Sequence, residues 1–301
     1  MIVAGPAPHL LPEELVKDYV FSVILGIVEG LTEFLPVSST AHLRITEALF
    51  HIPLEEPYWK MYSIVIQLGA VLCLPFYFRA RIGTFLARRE GPWTSHPAAL
   101  VLAAFFVTAL PALLLTKVIG KNLESPFVMG SALLVGGVVM GLVDLWKSGW
   151  EKAGPEAPGS TIRTWSMEAM NLPQAVWIGA CQILSAVFPG TSRSMSTIAG
   201  GQIAGLSRAA ALEFSFFLAL PTMCAATGYD LLKTLLGKTA AVRMDFHSWV
   251  VLAIGLVVSF AVAYGSVAVL MAWVRRRGFL PFAVYRILVG IAVLAWAAQR
   301  P

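Results

Sequence analysis

Two polar stretches interrupt an otherwise apolar chain, and they repeat each other. The first, Gly26–Leu43 (GIVEGLTEFLPVSSTAHL), carries two glutamates, two serines, two threonines and a histidine directly after an apolar lead-in. Glu29 and Glu33 are one helical turn apart and fall on one face of a helix. Pro36 breaks that helix, and Ser38-Ser39-Thr40 offers hydroxyls where a new one can start. A charge at membrane depth costs roughly 2.5–3.5 kcal/mol on insertion scales, so such a stretch marks a functional site. The second stretch, Gly179–Met195 (GACQILSAVFPGTSRSM), lies on the first at constant offset without a gap. Gly26 meets Gly179, Glu29 meets Gln182, Thr32 meets Ser185, Pro36 meets Pro189, and Ser38-Ser39 meets Thr191-Ser192. Glu33 becomes Ala186, Thr40 becomes Arg193 and His42 becomes Met195, as in diverged copies that divide a chemistry between them.

With 57% hydrophobic and 13% charged residues, against about 25% charged in an ordinary soluble domain, the chain reads as a polytopic membrane protein. Its net charge of +5 is topology-setting loop charge, and no nucleic-acid partner is expected. Cys73, Cys181 and Cys224 lie in apolar stretches without metal-ligand spacing and read as small buried hydrophobes. Residues 1–18 have no basic leader and are not read as a cleaved signal.

Six segments have the length to cross ~30 Å of hydrocarbon: Met61–Phe78, Pro97–Thr116, Phe127–Trp146, Ala209–Leu232, Trp249–Val274 and Phe279–Ala298. The positive-inside rule puts Arg79–Arg89 and Arg275–Arg277 in the cytoplasm. Counting from both anchors, the second motif enters and leaves on the inner side, and the first forms a matching hairpin on the outer side. The count leaves Lys233, Lys238 and Arg243 outside, opposed only by Asp230 and Asp245. The expected fold is therefore all-α and polytopic, with six transmembrane helices plus two re-entrant helical hairpins in an inverted-topology repeat. The first repeat is residues 1–150, with its hairpin at about 19–50. Residues 151–171 form a cytoplasmic linker. Residues 172–301 are the second, inverted repeat, with its hairpin at about 172–206.

Hydroxyl-rich helix starts suit phosphate, because a helix N-terminus presents free N–H groups and a positive dipole end. Arg193 can grip a phosphate with two parallel bonds. If the tips meet, a phosphate fits between Arg193 and the Ser38 and Ser39 hydroxyls. Glu29 and Glu33 need a cation, a shared proton or Arg193 beside them. His42 is close enough in sequence to serve a Ser38 or Ser39 hydroxyl as base or acid. These ingredients suit phosphoryl transfer to a serine or to water, with a divalent metal on the carboxylates as one option. Plainer readings compete. Ser and Thr often only tie membrane helices together, and Glu29 alone can be structural. Gln182 reads as a structural hydrogen bond; Gln67 could reach the site, packing being the plainer reading. Glu213 reads as interfacial, and His9, His51, His96 and His247 as loop residues. Gly136-Gly137 and Gly200-Gly201 read as close helix packing.

Glu29–Leu43 and Phe188–Ile198 (FPGTSRSMSTI) resemble the two signature motifs of the bacterial undecaprenyl-diphosphate phosphatases of the bacitracin-resistance type. Gly205–Thr222 and Ile66–Ala70 are similar to that family too, whereas six residues after Arg193 stands Ala199, not the histidine of the other lipid phosphatase type. The resemblance implies hydrolysis of undecaprenyl diphosphate to the monophosphate and inorganic phosphate. That would recycle the lipid carrier of peptidoglycan synthesis and confer bacitracin resistance. It puts the acidic motif on Glu29 and Glu33, the serine and histidine on Ser39 and His42, and the arginine on Arg193. Ser192 and Thr197 match the second motif, and Ser38, Thr40, Thr191 and Ser194 complete the expected substrate-binding set. It further implies Mg²⁺ or Ca²⁺ on Glu29 and Glu33, the inner membrane, and an active site facing outward. A homodimer is left open. The expected mechanism is attack by Ser39 on the terminal phosphorus with His42 handling the proton, direct attack by water being the alternative. The rival class is a transporter that flips the polyprenyl phosphate, since inverted repeats with midplane charges describe those as well.

Overall fold

A computed structural model describes residues 12–52, 56–87, 92–115, 125–236 and 244–299. Glu55, Arg88, Arg89, Lys238, Arg243, His9 and most of the loop after the second span lie outside the described residues. The chain is a helical bundle: α1 Pro12–Thr32, α2 Ser39–Leu49, α3 Pro57–Tyr77, α4 Arg79–Ala87, α5 Pro97–Leu114, α6 Pro126–Ala153, α7 Leu172–Val187, α8 Arg193–Ile203, α9 Arg208–Leu235, α10 Phe246–Arg277 and α11 Leu280–Ala298. Among the described residues there is no strand, only an isolated bridge between Thr164 and Leu206. The helices α3, α5, α6, α9, α10 and α11 are long and apolar enough to cross a membrane, so the protein is a multi-pass membrane protein. They match the six segments expected from the sequence to within a few residues at most of their ends, Thr116 lying outside the described residues.

Helix starts follow local chemistry. Prolines occupy the first turn of α3, α5, α6, α7 and α11, where a missing N–H costs nothing. Asn171 and Gln174 form a reciprocal capping box on α7, and Asp245 caps α10.

Contacts fix which helix ends lie together. At one end, Arg81 bonds Glu168 and Glu213, Arg208 pairs with Asp144, and Asp144 also accepts the Phe279 and Leu280 amides at the start of α11. At the opposite end, His247 of α10 bonds Asp18 and Tyr19 of α1, and Tyr58 of α3 donates to the Ser248 carbonyl. Both motif segments are hairpins whose two ends sit side by side. Phe21 of α1 packs on Phe50 just past α2, and Gln174 of α7 donates to the Ala204 carbonyl just past α8.

Packing pairs the halves crosswise. α1 lies against α10 and α7 against α5, while α6 packs on α11 and α3 on α10 and α9. Small residues allow the close approaches. A Cβ on Gly26 would lie 3.0 Å from the Gly255 carbonyl of α10, and one on its repeat counterpart Gly179 would lie 2.4 Å from the Ala104 carbonyl of α5. Gly137 meets the Ala283 carbonyl, Gly200 meets Cys181 and Gly201 meets Ala211, as close helix packing requires. Gly136 differs from that expectation: it makes room for the Arg286 side chain, whose Nη2 a Cβ would meet at 2.3 Å.

Candidate active site

The two tips meet. Residues 33–38 and 188–192 connect α1 to α2 and α7 to α8. Ser38 and Ser192 cap the new helices, accepting the Ala41 and Met195 amides. Both caps adopt positive φ, 77° and 71°, in a region costly to any residue with a Cβ. The two caps are therefore structural equivalents, which corrects the constant-offset alignment by one residue beyond the prolines. From its proline to its cap the second tip is one residue longer, and Gly190, at φ 94°, takes up the extra length. Ser39 consequently corresponds to Arg193, each the first residue of its helix, and His42 corresponds to Ser196.

These two first-turn residues converge on one carboxylate. Ser39 Oγ donates to Glu33 Oε2 at 2.6 Å, and Arg193 Nη2 pairs with Glu33 Oε1 at 2.9 Å. Arg193 is held further by the Ser215 carbonyl at 3.0 Å and by the Phe34 ring. Glu29 is fully buried behind them, with Glu33 and Arg193 as charged neighbours, and its oxygens receive no donor among the described residues unless it shares a proton with Glu33. Ser194 ties the tips directly by donating to the Leu35 carbonyl at 3.0 Å.

A cavity of about 230 Å³ opens onto this cluster. Of the expected site residues, Glu33, Ser38, Ser39, Thr40, Ser192 and Arg193 line it. Thr191, Ser194 and Thr197 do not. Thr197 bonds the Arg193 carbonyl and Ser215, and Thr191 offers its carbonyl to Arg286. These three support the tips from behind. Nor is His42 brought to the Ser39 hydroxyl. Its Nδ1 lies 2.7 Å from the Ser38 carbonyl and its Nε2 2.7 Å from the Tyr285 hydroxyl.

Three features around the site were missed or underrated by sequence reasoning. Gln67, expected to pack, lines the cavity, as do Ser185, Thr108 and Thr222. Gln182 makes the structural bonds expected of it, donating to Thr108 and Thr222, yet it also faces the cavity. Arg286 was missed altogether. Fully buried on α11, it donates to the Pro36 carbonyl of the first tip, to the Gly190 and Thr191 carbonyls of the second, and to Ala132 of α6. The signal was available: a lone charge inside an apolar span needs partners.

Compared with known proteins, residues 22–292 match the family described as "Bacitracin resistance protein BacA". The chain belongs to this family. It is 60% identical over 294 residues to an "Undecaprenyl-diphosphatase" of Koribacter versatilis (strain Ellin345), covering 94% of this chain and 99% of that protein. An "Undecaprenyl-diphosphatase" of Caldanaerobacter subterraneus subsp. tengcongensis is 40% identical over 278 residues, 92% of this chain and 95% of the relative. One of Sorangium cellulosum (strain So ce56) is 42% identical over 277 residues, 91% and 84% of the two chains. Family membership extends across both tips and five of the six spans in full, ending inside α11.

No group of three or more His, Cys, Asp or Glu side chains that could hold a metal occurs among the described residues. The donors at the site are two carboxylates and several hydroxyls. An oxygen-only set of one or two carboxylates suits Mg²⁺ or Ca²⁺, which complete their shells with water and substrate phosphate. The unpartnered Glu29 oxygens fit that demand.

Proposed function

We propose that this chain is an integral membrane phosphatase that hydrolyses undecaprenyl diphosphate to undecaprenyl phosphate and inorganic phosphate. It thereby recycles the lipid carrier of peptidoglycan synthesis and confers bacitracin resistance. The reading draws on the names of its relatives and rests above all on one observation: Glu33 bonds the Ser39 hydroxyl and the Arg193 guanidinium from opposite tips, beside a polar cavity.

In the mechanism that best fits this arrangement, the diphosphate enters the cavity while the polyprenyl tail stays in lipid. Arg193 and the N-terminal amides of α2 and α8 hold phosphate charge. Glu33 takes the Ser39 proton as Oγ attacks the terminal phosphorus. The new Oγ–P bond forms, the anhydride P–O bond breaks, and the lipid monophosphate leaves, taking up the proton that Glu33 held and returning Glu33 to its ionised form. Water then attacks the phosphoserine, giving up a proton to Glu33, and inorganic phosphate departs as Ser39 recovers its hydrogen. His42 carries no proton in this scheme, because both ring nitrogens are occupied elsewhere. Glu29 and Glu33 would hold Mg²⁺ or Ca²⁺, which when bound supplies charge neutralisation at the phosphates.

The hairpins are re-entrant in this reading, and the two halves are inverted copies. α2 and α8 have 11 residues each, about 16 Å, half the thickness of the hydrocarbon. The cavity lining runs from the tips along Thr108, Thr222 and Ala226, toward the end opposite Arg81 and Arg208. With the arginine-rich end in the cytoplasm, that supports an inner-membrane enzyme reached from outside.

The test is phosphate release from a polyprenyl diphosphate by detergent-purified protein, with and without EDTA, for wild type and Arg193→Ala. Release that the mutant loses by on the order of 100-fold or more is expected. Absence of release from folded wild type would end the phosphatase reading.

A further inference from the structure

Resting on the role of Ser39 just given, we propose that Tyr285 is a positioning residue for that serine, acting through His42 and the Ser38 carbonyl. The bonding fixes the arrangement. A carbonyl oxygen only accepts, so His42 Nδ1, 2.7 Å from Ser38 O, carries the hydrogen. Nε2 of a neutral ring is then an acceptor, and the Tyr285 hydroxyl 2.7 Å away donates to it. The two rings stack at 5.6 Å with 13° between their planes, which holds the imidazole flat against α11.

The Ser38 carbonyl is the part that needs holding. It belongs to the residue at φ 77° immediately before Ser39, and it accepts both the His42 amide and the His42 ring. A left-handed serine persists only where its surroundings over-determine it. Rotation of that peptide would turn Ser39 away from Glu33. The second tip is held differently. Ser192 also has positive φ, but Ser196 stands where His42 would, and its hydroxyl bonds the Arg193 carbonyl instead. Adjacent residues of α11 thus reach the tips: Arg286 bonds carbonyls of both, Pro36 in the first and Gly190 and Thr191 in the second, and Tyr285 adds the link through His42 at the first.

The experiment is a double-mutant cycle on the purified enzyme with a polyprenyl diphosphate, comparing Tyr285→Phe, His42→Ala, their combination, and His42→Asn. Asparagine keeps a donor for the Ser38 carbonyl but no group that accepts and carries a proton. Tyr285→Phe is expected to lower kcat between about ten- and a hundred-fold, with KM held within about two-fold. The double mutant is expected to be no worse than His42→Ala alone. His42→Asn is expected to recover most of the alanine loss and to be indifferent to Tyr285→Phe. A Tyr285→Phe enzyme with wild-type kcat, losses that multiply, or an asparagine variant as poor as alanine would overturn the proposal, the last by making His42 a proton carrier. Were the wild type to release no phosphate, the phosphatase reading would fall first. The coupling would then be read from thermal unfolding midpoints in detergent, where additive shifts for Tyr285→Phe and His42→Ala would sink the Tyr285–His42 link.

Discussion

The two tips share a backbone plan and divide the chemistry. Each is a helix, a proline turn, a serine cap at positive φ and a second helix of 11 residues. The first tip supplies the acids and the hydroxyl: Glu29, Glu33 and Ser39. The second supplies the cation, Arg193, with Gln182 where Glu29 stands and Ala186 where Glu33 stands. Two copies of the first tip would set four carboxylates against one another in a low dielectric. Replacing two of them and adding an arginine turns that repulsion into an ion pair across the interface. Breaking such a buried pair by removing one partner costs about 3–5 kcal/mol, so charge and fold are coupled here.

The comparison can be broken most sharply at the first residue of α2. Ser39→Ala should lower kcat by roughly a thousand-fold or more, while the purified protein keeps its unfolding midpoint within a few degrees. Acid quenching of wild type during turnover should trap a phosphoserine that the variant lacks. A variant keeping most of its rate would hand the attack to water.

The next contrast is Glu29 against Gln182. Glu29→Gln should cost between about ten- and a hundred-fold in phosphate release and blunt the effect of EDTA. Gln182→Leu should cost less than about ten-fold, because Thr108 and Thr222 keep their backbone partners. Equal losses at the two positions would mean that the division of labour is only apparent.

The smallest effect belongs to the extra residue of the second tip. Gly190→Ala forces a Cβ to 2.4 Å from the Met129 carbonyl at φ 94°. It should lower stability by about 1–3 kcal/mol, read as a lower unfolding midpoint, with activity reduced in step. A neutral outcome would show that the longer turn has slack.

How much of this was legible follows from how each feature leaves its mark. The six spans and the prolines that break the motif helices are matters of hydropathy and residue type, and they stand where the sequence put them. The convergence of Glu33, Ser39 and Arg193 was readable as a set, because polar residues in apolar surroundings must find each other. The one-residue shift after Pro189 was not, because a gapless alignment conceals an insertion that Gly190 absorbs. Positive φ at Ser38 and Ser192 was equally hidden, serine being no marker of left-handed backbone. Nearness in sequence to Ser39 suggested a proton transfer by His42, but it could not reveal that the ring bonds the Ser38 carbonyl and Tyr285, which lies in the last span. Arg286 was overlooked although its charge among VYRILV should have raised the question of partners.

The crosswise packing of the hairpins governs the order in which the protein can assemble. α1 has its main bed on α10, and Arg286 of α11 closes the tips. As the chain leaves the ribosome, the first hairpin is made with the faces of Gly26 and Gly30 uncovered and the acids of its tip unneutralised. It must wait for its bed until α10 is made, and for its clasp until α11 follows. A chain stopped before α10 lacks that bed, and its first hairpin is left open until the last two spans arrive.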